Sequence, residues 1–128
     1  MPHKVLIADD SELLRNQLMK DLENGGFQVL AAANGGEGIL LAKENPDVAV
    51  IVADFNMPDN DGLTMIERIY QMRGKKDIPA LVLSTESSQH IVERGRMVGI
   101  RAWMTKPFNA AKMVKALHAV IAARKEVA

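Results

Sequence analysis

The sequence specifies a three-layer α/β domain built on a parallel sheet. Short apolar runs alternate five times with amphipathic stretches along 128 residues. The connections between them are short, and Val48–Ala53 is apolar throughout and rich in β-branched residues, as in a strand buried on both faces. Strands alternating with helices in this way imply a parallel sheet covered by helices on both sides, with right-handed crossovers.

Taken in order, Lys4–Ala8 reads as a first buried strand, cut off by Asp9-Asp10. Ser11 is placed to cap a helix whose stripe is Leu14, Leu18 and Leu22, widened by Leu13, and Asn24-Gly25-Gly26 stops it. Phe27–Ala32 is a second strand, Asn34-Gly35-Gly36 a turn, and Glu37–Glu44 a short helix closed by Asn45-Pro46. The third strand runs into Asp54 and then the turn cluster Met57-Pro58-Asp59-Asn60-Asp61-Gly62. A third helix presents Leu63, Ile66, Ile69 and Tyr70 on one stripe and ends at Gly74. Ile78–Leu83 is a fourth strand, and Ser87 caps a fourth helix over Gln89–Val98. Ile100–Met104 is a short fifth strand, Thr105-Lys106-Pro107 a tight loop, and Asn109 caps the last helix. That helix shows a wide apolar face of Met113, Val114, Leu117, Val120 and Ile121.

Composition narrows the function. Sixteen basic and 16 acidic side chains give a formal net charge of zero, which argues against a dedicated nucleic-acid or membrane surface. The basic residues Lys112, Lys115, Arg124 and Lys125 read as a solvated helix face. With no cysteine, disulfides, thiolate metal sites and cysteine nucleophiles are excluded. No apolar run reaches the ~20 residues of a membrane span, and the N-terminus lacks a signal-peptide pattern. The expected location is the cytoplasm, and the expected organisation is a single domain over residues 1–128.

In a parallel sheet the carboxyl ends of all strands face one edge, where ligands bind. Those ends deliver Asp9 and Asp10, Asp54 with Asn56, Ser84 and Thr85, and Thr105 with Lys106. Three acids in one crevice repel; two charges ~4 Å apart cost ~4 kcal/mol at an effective dielectric near 20. A cation relieves this, and hard oxygen ligands without His or Cys favour Mg²⁺. Lys106 adds a point charge for an anionic oxygen, and the hydroxyls add donors. These residues suit a phosphoryl group on or near Asp54.

The same residues carry a resemblance. Asp9-Asp10-Ser11 with Arg15, Asp54-Phe55-Asn56-Met57-Pro58, Asp61-Gly62, Ser84-Thr85-Glu86 and Lys106-Pro107-Phe108 occur in order, each at its strand end. Over its whole length the chain resembles the receiver domain of two-component response regulators, most closely the stand-alone chemotaxis (CheY-like) type. The resemblance implies a flavodoxin-like (βα)5 fold with strand order 2-1-3-4-5. It implies a phospho-accepting signalling domain rather than an enzyme with turnover. Asp54 would accept the phosphoryl group from a phosphohistidine on a partner kinase. Asp10, Asp54 and the backbone carbonyl of Asn56 would hold Mg²⁺, with Asp9 acting through metal-bound water. Lys106 would pair with the phosphoryl group, Ser84 would move to bond it and so make the end of the fourth strand a switch, Asn56 and Glu86 would tune its hydrolysis, and Lys106-Pro107 would be cis.

In that family an aromatic residue, usually Tyr or Phe, serves as a switch; here the position holds Trp103. The implied partners are a sensor histidine kinase or phosphotransfer protein, and an output protein or phosphatase met by a monomer. A flagellar switch is the output that the chemotaxis resemblance suggests; a phosphate sink or relay in another circuit is the alternative. An Asp-nucleophile phosphohydrolase fits less well, because Asn56 stands where such enzymes carry a second Asp. A nucleotide- or flavin-binding domain is disfavoured, because Asp9-Asp10 replaces a Gly-rich phosphate loop after the first strand.

Overall fold

In the computed structural model, residues 2–57, 59, 61–73, 78–85 and 89–127 are described, with side chains to residue 123. The elements follow the order β1 (Lys4–Ala8), α1 (Glu12–Asn24), β2 (Gln28–Ala32), α2 (Gly35–Glu44), β3 (Val48–Asp54), α3 (Gly62–Arg73), β4 (Ala80–Ser84), α4 (Gln89–Val98), β5 (Ala102–Thr105) and α5 (Ala110–Val127). All strand pairs are parallel, in the order β2-β1-β3-β4-β5. This is the flavodoxin-like arrangement expected. Pro58, Asn60, Gly74, Glu86 and Ser87, which the sequence assigned to turns, a cap or the site, lie outside the described residues.

Alternation along the central strands builds two cores. Leu6, Ile51, Ala53 and Val82 face Leu63, Met65, Ile66 and Ile69 of α3. Val5, Ile7, Val50, Val52, Leu81 and Leu83 face Leu18 and Leu22 of α1 and Met113, Leu117 and Ile121 of α5. Every residue of β3 is buried, Asp54 included. A carboxylate at the end of such a strand is withdrawn from water by the fold itself, not by a local loop.

Several element ends differ from the expected ones for identifiable reasons. Phe27 belongs to the end of α1 rather than to β2, because its N–H donates to Leu22 O at 3.1 Å after Gly26 turns the chain at φ 95°. Ile100 is likewise taken by the end of α4, its N–H donating to Gly95 O at 3.0 Å after Gly99 at φ 103°, so β5 starts later and excludes Arg101. β4 begins only at Ala80, after Pro79, and extends to Ser84. Asn34 is not part of a turn but caps α2, accepting from Glu37 N at 2.8 Å, and Gly35 and Gly36 form the first helical turn.

The expected α1 stripe is also narrower than periodicity suggested. Leu18 and Leu22 are buried, but Leu14 is 40% and Leu13 78% exposed. At about 100° per residue, Leu13 lies ~140° from Leu18 and ~180° from Leu22 around the axis, on the solvent side.

Candidate functional site

The carboxyl edge of the sheet gathers the acids. One carboxylate oxygen from each of Asp9, Asp10 and Asp54 lies within 4.8 Å of the others. Asp9 and Asp54 are buried, while Asp10 is exposed. Asp9 is fixed at the start of α1: its Oδ1 accepts from Ser11 N at 2.9 Å, and Arg15 Nη1 donates to its backbone oxygen at 2.9 Å. Ser11 in turn caps the helix, accepting from Leu14 N at 3.3 Å. The Asp-Asp-Ser sequence therefore turns strand into helix and aims both acids at the sheet edge.

Lys106 supplies the countercharge. Its Nζ lies 3.2 Å from Asp54 Oδ2 and 3.6 Å from Asp9 Oδ2. It is delivered by the end of β5, where Lys106 N donates to Ser84 O at 2.9 Å, and the Lys106-Pro107 peptide bond is cis, as expected. Ser84 is fully buried at the end of the neighbouring β4, and Thr85 is exposed. Asp54 Oδ1 accepts from Asn56 N at 3.3 Å, so each of its oxygens has a partner. Burial lifts the Asp54 carboxyl above its ordinary value; Lys106 opposes this, the neighbouring Asp9 charge adds to it, and the net direction is upward.

Asp10, Phe55, Asn56, Met57 and Asp61 line an open crevice of about 460 Å³ beside the acid pair. The donor set is all hard oxygen, with no His or Cys. A Mg²⁺ ion with bonds of ~2.1 Å spans opposite ligands ~4.2 Å apart, so oxygens within 4.8 Å of one another need draw in by at most a few tenths of an ångström to surround one such ion. Asp10 and Asp54, with the Asn56 carbonyl at the crevice, could hold it.

The loop after β3 is braced from three sides that sequence reading had not identified. Asp59 accepts from Gly35 N at 3.0 Å and Gly36 N at 2.9 Å, so its charge sits on the N-terminus of α2. Asp61 caps α3 by accepting from Thr64 N at 2.8 Å and pairs with Arg94 of α4 at 2.8 Å. Burial raises the Asp61 carboxyl, but bonds from Arg94 and Thr64 outweigh it and hold the group below its ordinary value. Gly62 packs directly under Asp54, where a Cβ would collide with the Asp54 carbonyl oxygen. Asp59, Asp61 and Gly62 stood in the turn cluster, but nothing in the sequence singled out Arg94.

Trp103 of β5 lies between the site and α4. Its ring centroid is 6.4 Å from that of Phe55, the residue after Asp54, and its indole N–H is buried without a partner among the described residues. The sequence-assigned site residues within the described set thus fall on one edge, except Trp103, which lies inside β5 three residues before Lys106; Glu86 lies outside that set.

Among the described residues no helix is long and apolar enough to cross a membrane. A model of the response regulator receiver domain matches residues 5–118. Protein PilH of Pseudomonas aeruginosa is 33% identical over 120 residues, covering 93% of this chain and 98% of that protein. The transcriptional regulatory protein PdtaR of Mycobacterium tuberculosis is 31% identical over 99% of this chain, which spans 60% of PdtaR's length. The solved chemotaxis protein CheY4 of Vibrio cholerae superposes with a TM-score of 0.88 at 33% identity, covering 94% of this chain and 99% of that one. The chain belongs to the response regulator receiver domain family and is of the CheY-like type.

Proposed function

We propose that Asp54 accepts a phosphoryl group from the phosphohistidine of a sensor histidine kinase or phosphotransfer protein. The observation that carries this reading is the buried Asp54 carboxylate, 3.2 Å from Lys106 Nζ and clustered with Asp9 and Asp10. An Asp54 oxygen forms the new P–O bond as the P–N bond breaks; the electron pair leaves on the imidazole nitrogen, which takes up a proton. Lys106, already between Asp54 and Asp9, meets a phosphoryl oxygen. The Ser84 hydroxyl bonds another, and Asn56 with Glu86 sets how readily water approaches. Asp10, Asp54 and the Asn56 carbonyl would hold Mg²⁺, with Asp9 placed to act through a water between it and the ion. When bound, the ion neutralises the acids and the incoming phosphoryl oxygens.

The added charge biases the surface of α4, β5 and α5, with Trp103 as the aromatic reporter, toward a state that a partner protein binds. The molecule thus works as a cytoplasmic signalling module and not as a turnover enzyme. A chemotaxis-type output is favoured by the likeness to CheY4; a phosphate sink or relay would use the same chemistry.

The test is intact-mass analysis, taken promptly and cold, after adding a small phosphodonor with Mg²⁺. A gain of one phosphoryl group, absent without Mg²⁺ and absent in Asp54→Asn, is expected. An unchanged mass beside a labelled control regulator would sink the reading.

A further inference from the structure

Arg94 lies on α4, yet its guanidinium reaches the start of α3. Nη1 donates to Asp61 Oδ2 at 2.8 Å, and Nη2 donates to Asp61 Oδ1 at 3.2 Å and to Thr64 Oγ1 at 2.8 Å. Asp61 Oδ1 also accepts from Thr64 N. Both oxygens of Asp61 are therefore engaged, in the forked geometry that fixes a carboxylate's orientation as well as its charge. Asp61 lines the same crevice as Asp10 and Asn56, but the acid cluster comprises Asp9, Asp10 and Asp54. Its side chain is 29% exposed and that of Arg94 40%, so water or an ion can reach the pair.

We propose that Arg94 is a positioning residue for the cation site: by occupying both oxygens of Asp61 it holds a fourth carboxylate back from the ion bound by Asp10, Asp54 and the Asn56 carbonyl. This rests on the Mg²⁺ site proposed above. Without Arg94, Asp61 keeps its charge but loses its direction, and it becomes a free acid on the crevice wall. The crevice then attracts a divalent ion more strongly. Arg94 so sets the ion affinity from a helix that supplies none of the proposed ligands. A purely structural role for Arg94 would loosen the loop and weaken the ion, and the loss of the arginine's own charge is separated from the release of Asp61 by removing Asp61 as well.

The experiment is calorimetric titration with Mg²⁺ of the full chain, its R94Q, R94K and D61N variants, and the R94Q/D61N double variant. R94Q is expected to bind Mg²⁺ about 3- to 10-fold more tightly, the effect of one more unit charge several ångströms from a divalent ion in a water-like dielectric. The gain should shrink as ionic strength rises. It should exceed the gain of the double variant over D61N, which measures only the loss of the arginine's own charge, because the remainder needs the Asp61 carboxylate. R94K, a point charge serving one oxygen, should fall between wild type and R94Q, and it decides the matter if R94Q does not fold. Equal or weaker binding by R94Q and R94K, or a gain of the double variant over D61N as large as that of R94Q over wild type, would overturn the inference alone. Failure of the wild-type chain to bind Mg²⁺ would overturn the cation site, and this inference with it.

Discussion

A Cβ added to Gly95 of α4 would lie 2.9 Å from Cζ3 of Trp103. The largest side chain in the protein fits against α4 because the smallest residue faces it. The slot is further walled by Val92, Ile100 and Ala102. Gly95 thus allows Trp103 to occupy a half-buried position, with Phe55 linking it to Asp54.

Gly95→Ala tests this fit by sign. In an exposed helix the change would stabilise by about 0.8–1 kcal/mol through propensity. Here the new methyl meets the indole, and overpacking costs about 1–3 kcal/mol. The urea midpoint should therefore fall, and Trp103 emission should shift to the red with greater access to a quencher. A raised midpoint with unchanged emission would show that the slot has room to spare.

The Asp61–Arg94 pair predicts a pH signature. The folded Asp61 carboxyl titrates below the ordinary value of 3.8, mainly because bonds from Arg94 and Thr64 outweigh its burial. A depressed folded pKa contributes stability that is fully present above the unfolded value and lost as pH falls through the folded one. Asp61→Asn keeps a capping oxygen but removes the charge. Its destabilisation should be about 1 kcal/mol at pH 7, hold to about pH 4, and close below it. Denaturant midpoints measured in parallel from pH 7 to pH 3 give the curve; a gap that widened in acid would contradict the assignment.

These relationships mark the limit of what the sequence disclosed. β3 and the strand-end acids were legible because burial on both faces leaves an uninterrupted apolar run, and a carboxylate ending it stands out. The starts of β2 and β5 were not, because Phe27 and Ile100 are apolar whether they enter a strand or close a helix, and only the bonds to Leu22 O and Gly95 O decide. Leu13 resembles a core residue by apolarity alone, but its angle around α1 puts it on the solvent side. Arg94 could not be assigned, since its partner lies 33 positions away and an arginine on an amphipathic helix is ordinarily a solvated residue. The Asp59 bond to Gly35, 24 positions apart, is hidden for the same reason, and so by sequence alone the first turn of α2 resembles a turn.

Gly62 gives a prediction about the metal loop. A Cβ there would strike the backbone carbonyl of Asp54 and lie 3.2 Å from Ala53 Cβ. Neither neighbour is the free end of a flexible side chain, so α3 or the end of β3 must move. Gly62→Ala should cost about 2–4 kcal/mol, above the usual range for a surface change. It should also weaken Mg²⁺ binding, because Asp54 and Asn56 lie on the displaced segment. A variant with wild-type midpoint and wild-type Mg²⁺ affinity would show that the close approach is not a constraint.

The raised Asp54 carboxyl predicts a trade between stability and function. Burial favours its protonated form, and the net upward direction already includes the opposing pull of Lys106. For a carboxyl raised on folding, stability is fully present below the unfolded value of 3.8 and is lost as pH rises through the folded value. At pH 7 in EDTA, above the unfolded value, the raised carboxyl therefore weakens the fold. Asp54→Asn should raise the denaturant midpoint there, by on the order of 1 kcal/mol, with the gain fading as pH falls toward 3.8. Asp10→Asn should gain less, because Asp10 is exposed and its repulsion is screened by water. Saturating Mg²⁺ should reverse the order: it stabilises whatever binds it, by about 2.7 kcal/mol at 100 times its dissociation constant, and Asp54→Asn loses a ligand. If the wild-type chain in EDTA is already the more stable at pH 7, the Asp54 carboxylate is better compensated than its burial implies, and the cost assigned to it is absent.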